Sequence, residues 1–211
     1  MPTLALYIIA HHKQSNYPLH ISVVSTINER TEMRIAWGIT GSGDLIQESV
    51  DLMIKLQEEH DVRIDIFVSK AGRQVLTWYK LWKPLNEQFK VNVEVDANVP
   101  FIAGPLQMGK WDLLIVAPLT ANSAAKIAYG IEDTLLTNAV AQCAKGKTPI
   151  VLLPVDQVPG EIETVAPNGM KFKIRARKVD LENVARLREM EGITVVATLD
   201  EIVERIKSML G

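Results

Sequence analysis

Cysteine is almost absent: Cys143 is the only one in 211 residues. One thiol cannot build a disulfide framework or a multi-cysteine metal or iron–sulfur site within the chain, and it suits a reducing cytoplasm. Any iron–sulfur chemistry must come from a partner. Long apolar runs are missing as well. The stretch LALYIIA at residues 4–10 is too short to span a bilayer, and it lacks the basic flank and cleavage site of a secretion signal, so no membrane or targeting role is expected. A surplus of charge is also lacking. With 23 basic and 25 acidic residues the net charge is −2, and nothing points to nucleic acid or to a strongly acidic partner. Three of the four histidines, His11, His12 and His20, crowd the N-terminus. No Cys, Asp or Glu completes a ligand set near them before Asn28-Glu29, so they read as surface histidines and no metal site is expected.

What is present is strand–helix alternation over a length that suits one sizeable domain. Met33 opens the first convincing strand, so residues 1–32 read as an N-terminal extension and 33–211 as a single domain. The stretch Leu113–Thr137 organises it. Leu113–Val116 is a short buried strand, and Pro118, Leu119, Thr120, Ala121, Asn122 and Ser123 bring a rigid turn, hydroxyls and an amide to the start of a helix. In open α/β folds that carboxyl edge of the sheet is where ligands bind.

The same strand–turn–helix device occurs earlier. Met33–Ile39 runs into Thr40, Gly41, Ser42, Gly43 and Asp44, and a helical period continues to Glu59. Glycines allow close backbone approach, hydroxyls donate, and a helix start offers unpaired N–H groups, which together suit a phosphate. The spacing of Gly38, Gly41 and Gly43 is not G-x-G-x-x-G, and the second strand, Val62–Val68, ends at Ser69-Lys70 rather than at an acid, so a dinucleotide is disfavoured. Ser69 can reach a phosphate or cap the next helix. That helix is expected over Ala71–Trp82, ended by Pro84, with Trp78, Tyr79 and Trp82 as core or subunit interface rather than a stacking surface for a planar cofactor, the alternative such aromatics offer. Val91–Val95 reads as an edge strand and Asn98–Met108 as loop. A helix follows over Asp133–Cys143, with Gly130 as a break and Cys143 as a packing residue, and Thr148–Pro154 is another buried strand. Pro167-Asn168-Gly169 signals a hairpin. In the arm after it Lys171, Lys173, Arg175 and Arg177 alternate, which predicts one cationic face, either a solvated hairpin face or a dock for an acidic electron donor or an anionic substrate tail. A helix over Asp180–Glu191, a strand over Ile193–Ala197 and a helix over Thr198–Leu210 close the chain. The fold class expected is doubly wound, Rossmann-like or flavodoxin-like α/β, with helices on both faces of a parallel sheet and a small C-terminal β-hairpin.

Four segments in order, GITGSGD, VSKAG, APLTANSAAKIAYGIEDTLLTNA and PIVLLPV, resemble the homo-oligomeric flavoprotein superfamily of flavin-containing cysteine decarboxylases and flavin prenyltransferases. MRIAWGITGSGD and ENVARLREMEGITV are most similar to its archaeal branch, the archaeoflavoproteins, which includes acceptor-type dihydromethanopterin reductases. The resemblance implies FMN, with its phosphate near Thr40, Gly41, Ser42, Gly43 and Ser69 and its ring near Pro118, Thr120, Ala121, Asn122 and Ser123. It also implies a homo-oligomer built from trimers with the flavin at a subunit interface. The activity it implies is oxidoreduction, with electrons taken from ferredoxin or a similar low-potential donor and passed to a pterin; it assigns no catalytic side chain. An electron carrier without its own substrate, and a decarboxylase or prenyltransferase on the same site, are the alternatives. The absence of a PxMNxxMW-like segment counts against cysteine decarboxylation.

Overall fold

The structure, a computed structural model, describes residues 32–211. The expected extension over 1–32, apart from Glu32, and the three N-terminal histidines lie outside the described residues. The strands are β1 (Met33–Ile39), β2 (Val62–Val68), β3 (Lys90–Val93), β4 (Leu113–Leu119), β5 (Ile150–Pro154), β6 (Glu161–Val165), β7 (Lys171–Arg175) and β8 (Ile193–Val195). The helices are α1 (Ile46–Glu59), α2 (Lys70–Trp78), α3 (Trp82–Gln88), α4 (Ala103–Gln107), α5 (Ala121–Ala128), α6 (Leu135–Cys143), α7 (Lys178–Arg188) and α8 (Leu199–Leu210).

Six strands pair in parallel in the order β3-β2-β1-β4-β5-β8. Side-chain alternation explains why this sheet needs helices on both faces. Leu113, Ile115 and Ala117 of β4 enter one apolar layer with Met53 of α1, Leu76 of α2, Leu85 of α3 and Ile206 of α8. Leu114 and Val116 enter the other, with Leu106 of α4, Ile127 of α5, Val140 of α6 and Leu187 of α7. The doubly wound α/β class is therefore the fold, and β6 and β7 form the separate antiparallel hairpin.

Several elements differ from the sequence expectation. β4 continues through Pro118 to Leu119, because its pairing with β5 slips between Val116 and Leu119 around a residue that has no N–H to offer the ladder. The helix expected over Ala71–Trp82 stops at Trp78, and Lys80 turns the chain at φ 61°. Pro84 does not end a helix; it lies in the first turn of α3, where a missing N–H costs nothing. The loop at Asn98–Met108 contains the short α4. Trp78 is exposed, whereas Tyr79 and Trp82 pack against the first apolar layer.

The hairpin face is not wholly cationic. Lys171 pairs with Glu163 at 2.9 Å and Lys173 with Glu161 at 3.3 Å, since antiparallel register sets acids of β6 against bases of β7. Arg177 leaves the strand altogether and pairs with Asp180 in the first turn of α7.

Candidate functional site

At the carboxyl edge β1 lies between β2 and β4, so the chain leaving β1 at Thr40 passes between Ser69 and Thr120. Thr40 is buried, and its Oγ1 donates to the Pro118 carbonyl at 2.7 Å and accepts from the Thr120 N–H at 2.9 Å. A hydroxyl has a single proton to give, and Pro118 takes it. The sequence assigns this hydroxyl to a phosphate; in the structure it staples β1 to β4 instead. Trp37 reinforces the staple through Nε1, which donates to the Ala117 carbonyl at 2.7 Å.

Ser69 caps α2, its Oγ accepting from the Gly72 N–H at 2.9 Å. Capping uses the oxygen as an acceptor and leaves the O–H free to donate elsewhere. Thr120 caps α5 in the same way through the Ser123 N–H, at 3.3 Å, and its Oγ1 lies 3.1 Å from Ser123 Oγ. Ala121 and Ser123 are half-buried and Asn122 is exposed, its side chain making no hydrogen bond among the described residues.

Between these two caps runs the glycine loop. Among the described residues no acceptor pairs with the N–H groups of Gly41, Ser42 or Gly43. A Cβ on Gly41 would stand 2.6 Å from the Cβ of Ala71, and one on Gly43 would strike the Tyr79 hydroxyl, so the loop crosses α2 and Tyr79 at a distance only glycine allows. Leu45 then turns at φ 61°, and α1 begins without a side-chain cap. Such a backbone angle on leucine costs on the order of 1 kcal/mol, and strain of this kind gathers at functional loops. Three free amides and an uncapped helix start make an anion cradle.

The hairpin leans on this loop. Thr164 of β6 hydrogen-bonds Asp44, and the Tyr79 hydroxyl donates to the Val165 carbonyl at 2.7 Å. Burial, and then the Asp44 charge, push the Tyr79 phenol up.

Two acids that the sequence does not single out also belong to this edge. Glu94 follows β3 and is 9% exposed; Oε2 accepts from the Lys70 N–H at 2.9 Å and Oε1 from the Leu135 N–H at 2.8 Å. One carboxylate thus satisfies the first N–H of both α2 and α6. Asp156 lies just beyond β5, half-buried, and burial, followed by the Asp180 and Asp44 charges, pushes its carboxyl up. A position just past the carboxyl end of a strand is the sequence signal that could have marked both residues. Other cavities among the described residues lie elsewhere: about 310 Å³ beside Ile54, Gln57 and Phe89, about 290 Å³ at the amino edge beside His60 and Asp65, and about 270 Å³ beside Ile131, Val140 and Met190.

A family model described as Flavoprotein matches residues 23–209. An uncharacterised protein of Methanocaldococcus jannaschii is 50% identical over 81% of this chain and 92% of its own length. The dihydromethanopterin reductase (acceptor) of the same organism is 31% identical over 82% of this chain and 95% of its own. Among solved structures, DmrB of Burkholderia xenovorans in complex with FMN, described as a cubic protein cage for redox transfer, is 37% identical with a TM-score of 0.73, covering 86% of this chain and 97% of that one. Matches that run through the glycine loop, both caps and the sheet decide the family: the protein belongs to the flavoproteins.

Proposed function

We propose that this protein is an FMN-dependent oxidoreductase that accepts electrons from ferredoxin or a similar low-potential donor and reduces dihydromethanopterin to tetrahydromethanopterin. The observation that carries it is the set of unpartnered amides at Gly41, Ser42 and Gly43, flanked by the free O–H of Ser69 and the first turn of α5. Those residues fit a phosphate and an adjoining polar ring: the cradle is anion-seeking, and its glycines leave room for nothing but backbone. FMN oxidoreduction is supported by the flavoprotein family and by the likeness to FMN-bound DmrB. The pterin is supported by the name of the 31% identical relative.

Bound FMN supplies a ring that gains electrons from a carrier and gives them up as hydride. The protein's part is to hold and tune it. Amides of Gly41–Gly43, the Ser42 side chain and Ser69 Oγ would hold the phosphate, while Thr120, Ala121, Asn122 and Ser123 would hydrogen-bond the ring. Thr40 and Pro118 act one step behind, by fixing the loop against the α5 turn. The resemblance to the homo-oligomeric flavoproteins implies that a second copy of the chain completes the site in a homo-oligomer built from trimers, and the likeness to the DmrB cage supports an oligomer. The exposed Asn122 and Trp78 gain partners there. A cytoplasmic setting agrees with the single buried thiol.

The test is an anaerobic visible spectrum of the purified protein, followed by reduced ferredoxin and then dihydromethanopterin. Flavin bands that bleach and then return support the reductase. Bleaching without return supports an electron carrier, turnover without any electron supply supports a lyase or prenyltransferase, and no flavin after reconstitution removes the reading. Asn122→Ala is expected to weaken FMN retention or shift the spectrum.

A further inference from the structure

Asp44 stands two residues before α1, where an aspartate side chain ordinarily turns back to a free N–H, yet α1 begins without a side-chain cap. The cause lies 120 residues away. Thr164 Oγ1 donates to Asp44 Oδ1, and it comes from a hairpin whose residues 161–175 are otherwise exposed or half-buried. Thr164 alone among them is buried, at 8% exposure. A second bond lies beside the first: the Tyr79 hydroxyl, which a Cβ on Gly43 would strike, donates to the Val165 carbonyl at 2.7 Å. Consecutive residues of β6 thus hold both the acid that ends the glycine loop and the ring against which that loop packs.

The Thr164 hydrogen bond decides where a negative charge sits. Asp44 is half-buried, next in the chain to the free N–H groups of Gly41, Ser42 and Gly43 and to the open start of α1. An aspartate released at that point bends back to the N–H groups of the helix start, as in an Asx turn, and the helix dipole favours its charge there. Such a carboxylate is an internal anion. It takes donors that a phosphate would use and repels the phosphate as well. A two-stranded hairpin has little stability of its own, so its seat on the loop depends on the bonds from Thr164 and to Val165.

We propose that Thr164 is a positioning residue of the cofactor site: by holding Asp44 on the hairpin it keeps that carboxylate off the phosphate cradle, so that seating of β6–β7 and phosphate binding favour each other. This rests on the FMN oxidoreductase reading. With the hairpin seated, the amides of Gly41–Gly43 and the start of α1 are open to the phosphate. With it lifted, Asp44 caps α1 and competes with the phosphate for the same donors. Linkage makes the coupling reciprocal, and a phosphate in the cradle holds the hairpin down by the same factor.

The experiment titrates the full chain with FMN, followed by flavin fluorescence, for wild type, Thr164→Val, Thr164→Ser and the double variant Thr164→Val with Asp44→Ala. Valine keeps the shape of threonine and removes only the O–H. Thr164→Val is expected to bind FMN about 10- to 100-fold more weakly, and Thr164→Ser, which keeps the O–H, to stay within about threefold of wild type. Asp44→Ala in the valine background is expected to bring the affinity back to within about threefold of wild type, since the competing carboxylate is gone; a merely structural loss is not repaired by a second truncation. The other readout is trypsin cleavage after Lys171, Lys173 or Arg175, which saturating FMN should slow about tenfold in wild type and leave unchanged in Thr164→Val. A Thr164→Val protein within about twofold of wild type, or a double variant no tighter than Thr164→Val, overturns the inference while leaving the FMN reading intact. Wild type that takes up no FMN overturns that reading and this inference with it.

Discussion

Replacing Glu94 by alanine removes two acceptors at once, and the structure sets the size of the effect. Oε2 and Oε1 accept from Lys70 N–H at 2.9 Å and Leu135 N–H at 2.8 Å, in a site 9% exposed. A hydrogen bond to a charged group contributes about 1.5–3 kcal/mol, so the pair is worth about 3–5 kcal/mol after some water enters the vacated space. For a chain of this length that is a fall of about 6–20 °C in Tm. Glu94→Gln separates acceptor loss from packing loss. Glutamine fills the same volume but turns an NH₂ toward one of the two backbone N–H groups, so it is expected to lose more than half as much as alanine. Differential scanning calorimetry at fixed protein and FMN concentration reads both variants, since ligand and assembly shift Tm by mass action. A Glu94→Gln protein melting with wild type, or a Glu94→Ala protein within about 2 °C of it, would refute the double-cap argument.

Gly41→Ala forces a Cβ to within 2.6 Å of Ala71 Cβ. Overpacking of this kind costs about 1–3 kcal/mol, which falls on the loop and weakens FMN binding about 10- to 100-fold. Fluorescence titration with FMN checks it, and an affinity within threefold of wild type would show that the loop does not hold the phosphate. Cys143 is fully buried and its thiol is pushed up to about 12 by that burial, so a thiol reagent at neutral pH should label the folded protein negligibly and the denatured protein once per chain. Rapid stoichiometric labelling of the native state contradicts that packing role. Asp180 is held below the ordinary carboxylate range mainly by the Arg177 hydrogen bonds. Its contribution is therefore complete above the ordinary aspartate pKa and is lost as pH falls through the lowered folded value. Asp180→Asn should flatten the acid limb of a Tm–pH curve, and an unchanged limb would deny Asp180 that part.

Much of the fold is legible in the chain because its determinants are local. Buried runs such as Leu113–Val116 and Ile150–Leu153 need both faces covered, and the helical period after Asp44 supplies cover. Serine and threonine just before helices, at Ser69, Thr120 and Thr198, do what their position predicts and cap them. The glycine loop is legible for the same reason, since Gly41 and Gly43 mark close backbone approach wherever a strand turns into a helix.

Pairings across long separations are another matter. Thr40 finds Pro118 78 residues away, which turns an apparent ligand hydroxyl into a staple. Glu94 reaches Leu135 over 41 residues, and Thr164 meets Asp44 over 120. The basic arm of the hairpin reads as a cationic face until antiparallel register sets Glu161 and Glu163 beside it. By itself the sequence determines the alternating elements, their caps and the close-approach loop, because each depends on residues within one or two turns. Which polar groups remain free to bind was decided only by tertiary structure, because desolvation and charge pairing act between atoms that the fold alone brings together.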